Sequence, residues 1–306
     1  MRFVFGPVAS RRFGLSLGVD LSPERKRCNY DCLYCELGGA KPIAVFDNPA
    51  PPSEIVREVK SALETCKPDK LTITANGEPT LYPYLDELID DLNAIKGSAK
   101  LTILSNGSAI GVPSVAKALA KLDIVKLSLD AAEMKSFRKV DRPEKSWSDL
   151  GEQIESMARF RARYKGELAI EILLVKGAND TEANFAALAA ALKKIAPDRV
   201  DIGSIERPSA YRVQAASIET MRSLLDRLAG LNAQIIPSAY AAAKQSLDKE
   251  ALLALLNRRS LSFDEAAAIL DDRSIALLNA LVANGLVAIK TQSDKRFYAL
   301  EVIGSK

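Results

Sequence analysis

With 306 residues, 48% of them hydrophobic, the chain can form one large domain or two and can bury a substantial core. Its 42 basic and 39 acidic residues leave a formal charge of +3, too near neutrality to argue for nucleic-acid binding by itself. Histidine is absent, which removes the usual general acid-base and the usual neutral metal ligand, so proton transfer falls to Asp, Glu, Lys, Tyr or Cys. No apolar stretch reaches the ~20 residues of a membrane span, and the opening MRFVFGPVASRRFG lacks the apolar centre of a secretory signal. The expectation is a cytoplasmic protein with no membrane association.

From Leu15 to Pro237, β-rich runs alternate with amphipathic helical runs. The β-like runs are LSLGVDLS from Leu15, LTITA from Leu71, LTILS from Leu101, IVKLSLD from Ile124, LAIEILLV from Leu168, VDIGSI from Val200 and a weak QIIP from Gln234. Between them, Leu85, Leu88, Ile89 and Leu92 show helical spacing, and SEIVREVKSAL predicts a helix N-capped by Ser53 behind Pro51 and Pro52. Repeated β-then-α units predict a parallel sheet with right-handed crossovers. Six or seven units are too few for a closed eight-unit barrel, so the expected fold is α/β, a partial (β/α)6 TIM-like barrel over residues 1–240.

The composition changes near residue 240. AYAAAKQSLDKE reads as an alanine-rich connector, and LDKEALLALLNRR, SFDEAAAIL and DRSIALLNALVANG read as three short helices. Two β-like runs, LVAIKTQ and KRFYALEV, follow around a turn at Ser293-Asp294. Residues 245–306 are therefore expected to form a small C-terminal winged helix-turn-helix domain.

Three of the four cysteines fall together. C-N-Y-D-C-L-Y-C places Cys28, Cys32 and Cys35 at CxxxCxxC spacing directly after the first strand run, which in a chain of this kind reads as a metal site rather than a disulfide framework. Thiolates normally hold all four irons of a cubane cluster. Three on one short loop hold three corners and leave the fourth iron open to the amino and carboxylate groups of S-adenosylmethionine. The alternative, a structural zinc, calls for four Cys or His ligands, and the spare Cys66 is more simply a small apolar residue.

CxxxCxxC with an aromatic, Tyr34, before the last cysteine resembles the radical S-adenosylmethionine superfamily. The resemblance implies one 4Fe-4S cluster on Cys28, Cys32 and Cys35, S-adenosylmethionine as the second cofactor, Tyr34 against its adenine, and an electron donor such as flavodoxin or ferredoxin. Other unusual residues sit at strand ends, where barrel folds place their chemistry. A-N-G-E-P-T-L, with Asn76, Gly77, Glu78, Pro79 and Thr80, looks like the strand that holds the methionine amino group: glycine permits close approach and carbonyl and carboxylate oxygens accept from ammonium. Ser105 and Asn106 of L-S-N-G-S are expected to meet polar parts of the cofactor, though an Asn-Gly turn is the plain reading. Ser128 and Asp130 of L-S-L-D-A are expected at the ribose, the methionine carboxylate or the substrate, unless Asp130 only caps a helix.

The opening G-P-V-A-S-R-R-F-G-L-S-L-G-V-D-L-S-P, with NGEPTL, SLDA, FRKVDRP and ERP, resembles the group of the wyosine-forming tRNA enzymes over roughly residues 3–210. The chain has no cysteines for that group's second cluster, so a relative with a single cluster and an unidentified substrate is expected. Asp130, Lys176, Arg207 and a loop at 138–142 are the candidate substrate contacts, Arg207 because its planar fork suits carboxylate or phosphate. In the tail, Lys290, Lys295 and Arg296 could touch a phosphate backbone, but the third helix is too apolar for a base-reading helix. The first reading is an enzyme that cleaves S-adenosylmethionine to a 5′-deoxyadenosyl radical. The alternatives are a tRNA-modifying enzyme and an Fe-S redox sensor with a nucleic-acid-binding tail.

Overall fold

The computed structural model describes residues 2–10, 14–145, 149–236, 244–257, 259–292 and 295–300. An eight-stranded sheet runs in sequence order: β1 (Val4–Ser10), β2 (Gly14–Asp20), β3 (Lys70–Thr74), β4 (Lys100–Ser105), β5 (Ile124–Ser128), β6 (Glu167–Leu174), β7 (Arg199–Ser204) and β8 (Ala233–Ile235). Strands β2 to β8 are parallel, and all seven coincide with the predicted runs. Helices α1 (Pro52–Thr65), α2 (Leu85–Ile95), α3 (Pro113–Leu119), α4 (Met134–Val140), α5 (Leu150–Arg163), α6 (Glu182–Ile195) and α7 (Ile218–Arg227) make the crossovers. This is an α/β fold whose parallel sheet has the order of a partial TIM-like barrel.

The strands are buried on both faces, with Leu71 and Ile73 of β3 and Val125 and Leu127 of β5 on one face and the buried polar Thr72 and Lys126 on the other. On α2, Leu85, Leu88, Ile89 and Leu92 are all buried, forming the expected stripe. Each such side chain contributes about 1.5–3 kcal/mol on burial. Helix α1 starts one residue before the expected cap: Pro51 is the N-cap, no side chain caps it, and Pro52 occupies the first turn, where a missing N–H costs nothing. Cys66 ends this helix, its thiol donating to the Ala62 carbonyl at 3.2 Å.

Strand β1 was not among the predicted runs. It pairs antiparallel with β2 through a register shift between Phe5 and Val8, where Gly6-Pro7 interrupts it. A proline inside a run argues against a strand, and only an edge tolerates it.

The C-terminal segment has a second core of its own. Helices α8 (Lys249–Leu256), α9 (Phe263–Ile269) and α10 (Asp272–Ala283) pack on an antiparallel sheet of β9 (Leu261–Ser262), β10 (Val287–Gln292) and β11 (Lys295–Leu300), in the order β10-β11-β9. Asp248, Ser262 and Asp271 cap the three helices. Val8 of β1 packs against this second core. The start of the expected connector, the boundary at residue 240 and the turn at Ser293-Asp294 lie outside the described residues. Among the described residues, no helix is long and apolar enough to cross a membrane.

Candidate active site

The cysteine loop follows β2 and is held by backbone hydrogen bonds on three sides. Toward β3, Arg27 N–H donates to Asn76 O at 2.7 Å, and Glu78 N–H donates to Arg27 O at 2.8 Å. Gly77 makes this possible: its φ is +142°, and a Cβ there would lie 1.8 Å from the Arg27 carbonyl oxygen. The close approach expected of Gly77 is thus made by the cysteine loop's own backbone. On the second side, Asp31 N–H donates to the Asp141 and Arg142 carbonyls at 3.2 Å and Leu33 N–H to Val140 O at 2.9 Å. The third contact is Ala210 N–H to Cys35 O at 2.8 Å. An irregular loop can only be buried if its amides are paired in this way.

Cys28, Cys32 and Cys35 are free and half-buried. The Tyr30 amide points at the Cys28 sulfur (3.4 Å), Asn106 Nδ2 lies 3.9 Å from the same atom, and the Cys32 thiol donates to Asp141 at 3.7 Å. Burial pushes the Cys28 thiol up to about 12, and Cys32 is raised by burial and by the Asp141 charge beside it. Burial thus favours the protonated thiols, and a cation bound at the site would oppose it. Lys26, only 9% exposed, lies 3.6 Å from Asp31; burial works against its charge, but Cys35, Cys28 and Asp31 outweigh that and raise it. Among the described residues, no three Cys, Asp or Glu side chains converge closely enough for a single metal ion.

The strand ends converge on the same place. Glu78 is 1% exposed, and four donors fill its carboxylate: Thr80 N–H (3.0 Å), Thr80 Oγ1 (2.6 Å), Ser105 Oγ (2.6 Å) and Asn106 N–H (2.7 Å). Burial raises its pKa and these hydrogen bonds pull it back only in part. The carboxylate expected to face an ammonium group is thus a strut joining β3 to β4. Asn76 is buried too, its amide donating to Asp20 at 3.0 Å and its side chain to Pro23 O at 3.2 Å. Pro79 and Thr80 turn the chain away in a short 3-10 segment.

Asp130 does not cap a helix; Glu133 caps α4. The Asp130 carboxylate accepts from the Tyr34 hydroxyl and from Leu173 N–H at 2.6 Å, and Asn179 and Asn184 donate to its carbonyl at 2.8 and 3.3 Å. Burial pushes its carboxyl up to about 6, and Asp141 is raised by burial and by Asp130. Asn106, Ser128, Asp130 and Asp141, with Tyr30 and Gln153, line one small space beneath the cysteines.

The 138–142 segment differs from its expectation. It is the end of α4 followed by a clamp: Arg142, at φ +48°, pairs with Asp31 at 3.1 Å and lies 4.4 Å over the Tyr211 ring. A cleft of about 290 Å³ opens beside it, lined by Tyr34, Cys35, Glu171, Gly203, Glu206 and Arg207 among others. Arg207 spends its fork on Glu36 (3.1 Å) and Glu265 (3.4 Å) rather than offering it to an anion. Lys176 is exposed on the turn after β6 and does not line this cleft. The supporting residues Asn29, which accepts from the Asn106 side chain at 2.9 Å, Asp141, Asn179, Asn184 and Tyr211 were not singled out for these roles; only FRKVDRP drew attention to the neighbourhood of Asp141.

The family model of the radical SAM superfamily matches residues 26–189, the segment that carries the cysteine loop and strand ends β3 to β6. The chain belongs to the radical SAM superfamily. As a radical SAM enzyme it uses the cofactors of that family, a 4Fe-4S cluster and S-adenosylmethionine. A UPF0026 protein of Helicobacter pylori (strain ATCC 700392 / 26695) is 43% identical over 299 residues, 96% of each chain. The S-adenosyl-L-methionine-dependent tRNA 4-demethylwyosine synthase of Methanocaldococcus jannaschii is 30% identical over 160 residues, covering 51% of this chain and 44% of that one. Among solved structures, Streptococcus suis SuiB bound to precursor peptide SuiA superposes with a TM-score of 0.56 at 18% identity, over 79% of this radical SAM chain and 51% of that one.

Proposed function

We propose that Cys28, Cys32 and Cys35 hold a single site-differentiated 4Fe-4S cluster and that the chain positions S-adenosylmethionine on its open iron to start radical chemistry on a substrate in the adjoining cleft. The convergence of three free cysteines with Asn106, Tyr34 and Asp130 carries this reading. Held by Cys28, Cys32 and Cys35, a reduced cluster would supply the one electron needed for reductive cleavage of a C–S bond of S-adenosylmethionine to a 5′-deoxyadenosyl radical and methionine. Tyr34 offers its ring to the adenine, with Asp130 fixing the ring's angle. Glu78 holds the strand end of Asn76, Gly77, Pro79 and Thr80 to Ser105 and Asn106, and that strand end shapes the methionine side of the site. Ser128 and Asn106 serve the ribose or carboxylate. The substrate enters past Glu171, Gly203 and Glu206, in the cleft beside Tyr34 and Cys35.

Residues 1–240 form the catalytic barrel and residues 245–306 a winged-helix-like unit, supported by its separate core and its three helices on an antiparallel sheet. Anaerobic reconstitution with iron and sulfide, then reduction with S-adenosylmethionine present, tests the reading. Release of 5′-deoxyadenosine is expected, and its loss in the triple variant Cys28→Ala, Cys32→Ala, Cys35→Ala. A reducible cluster without cleavage overturns the proposal.

A tRNA substrate is the second reading, favoured by the tRNA-modifying relative. The cleft disfavours it: Glu36, Glu171 and Glu206 line it, and its one arginine is held by carboxylates. Lys290 and Lys295 are exposed in the tail, but Arg296 covers the Phe263 ring. The exposed face of α10 carries Ala276, Ala280 and Ala283 beside Asp272, Arg273 and Asn279, whose side-chain oxygen already accepts from the Tyr298 hydroxyl at 2.9 Å, so few side chains are left to read base edges.

A further inference from the structure

The segment after β7, residues 205–215, lies between the cysteine loop and the C-terminal unit. On one side Ala210 N–H donates to Cys35 O at 2.8 Å, and the Tyr211 hydroxyl donates to Asp31 at 2.6 Å. On the other side Gln292 of β10 donates to Val213 O at 3.3 Å. Arg207 touches both, pairing with Glu36, the neighbour of Cys35, and with Glu265 of α9.

Glu265 is the unusual partner. It is 1% exposed, and burying a carboxylate is costly unless it is paired. Arg259 from its own unit pairs with it, and Arg207 reaches in from the barrel. Arginine suits such a place because its rigid fork can engage two carboxylates at once, as a lysine point charge cannot. We propose that Arg207 is a positioning residue through which the C-terminal unit sets the pose of the 205–215 strap on the cysteine loop, so that whatever docks on that unit is felt at Cys35. Only the last clause rests on the proposed function; the mechanical link between tail and loop stands independently of it.

Hydrogen exchange on the iron-free full chain tests the link. In Glu265→Gln, the Ala210 amide should exchange about five-fold faster or more, the lower bound of typical inter-site coupling, while β5 amides keep their rates. Arg207→Lys should do the same, because it keeps the charge and loses the fork. Arg259→Lys, which touches Glu265 but not the strap, should leave Ala210 at its wild-type rate. Because coupling is reciprocal, Glu36→Gln should accelerate the Glu265 amide on the far side, and this arm remains readable if Glu265→Gln unfolds the tail. The proposal is overturned if Glu265→Gln and Arg207→Lys leave the Ala210 rate unchanged, or if Glu36→Gln leaves that of the Glu265 amide unchanged. A failed cluster reconstitution sinks the proposed function and leaves this exchange result to decide the link.

Discussion

The Tyr34 hydroxyl donates to the buried carboxylate of Asp130, joining the cysteine loop to the end of β5 across 96 positions of sequence. The same carboxylate accepts from Leu173 N–H, so one aspartate ties the loop to two strands. Asp130→Ala leaves both donors without an acceptor and should cost about 1–3 kcal/mol each, read by urea denaturation. Tyr34→Phe keeps the ring and loses one hydrogen bond; it should cost about 1 kcal/mol and retain slowed 5′-deoxyadenosine release. Complete loss of release in Tyr34→Phe would mean that the hydroxyl, not the ring, serves the cofactor.

Gly77→Ala places a Cβ 1.8 Å from the Arg27 carbonyl at a φ of +142°. The strain, of order 1–3 kcal/mol or more, should be relieved by freeing the loop rather than by unfolding the sheet. Reconstituted protein should bind iron substoichiometrically with an unchanged circular dichroism spectrum. Full iron loading would show that the stitch between Arg27 and Gly77 is dispensable.

Glu78→Ala leaves four donors, on Thr80, Ser105 and Asn106, without their acceptor. The loss should reach about 3 kcal/mol or more, since hydrogen bonds to a charge are each worth roughly twice a neutral one. Glu78→Gln should recover part of it, with the midpoint of denaturation between those of Ala and wild type. A Gln variant no better than Ala would show that charge, not shape, holds the two strand ends.

Acid should act through Asp123, which accepts from Lys96 and from Leu101 N–H at 2.7 Å. Burial raises its pKa, but Lys96 and the Leu101 amide outweigh it and hold the carboxyl below the ordinary 3.8. A depressed folded pKa gives stability that is present above the unfolded value and lost as pH falls through the folded one. Asp123→Asn should therefore cost about 1 kcal/mol at pH 7, allowing for solvent screening at this partly exposed group. The difference from wild type should fade below a pH of about 3.8. A cost that is flat with pH would assign the loss to packing alone.

The seven parallel strands were legible because each is a short apolar run bounded by turn residues, a pattern set by burial on both faces. Strand β1 was not, because Pro7 makes sense only once β1 is known to be an edge. The site residues Cys28, Asn106 and Asp130 were legible by spacing and by position at strand ends. The roles of Glu78 and Arg207 were not: a carboxylate or guanidinium looks the same in sequence whether it awaits a ligand or is filled by Ser105 or Glu265. Partners far apart in the chain decide that, and no local pattern encodes them.

The packing of Val8 on the C-terminal core has a consequence for biosynthesis. Strand β1 leaves the ribosome long before α8 to α10 exist, so its outer surface waits exposed until they are made. Release of the nascent chain before that point would leave a barrel with an unfinished edge, an adhesive one. Helices made about 240 residues later are thus the ones that cover Val8.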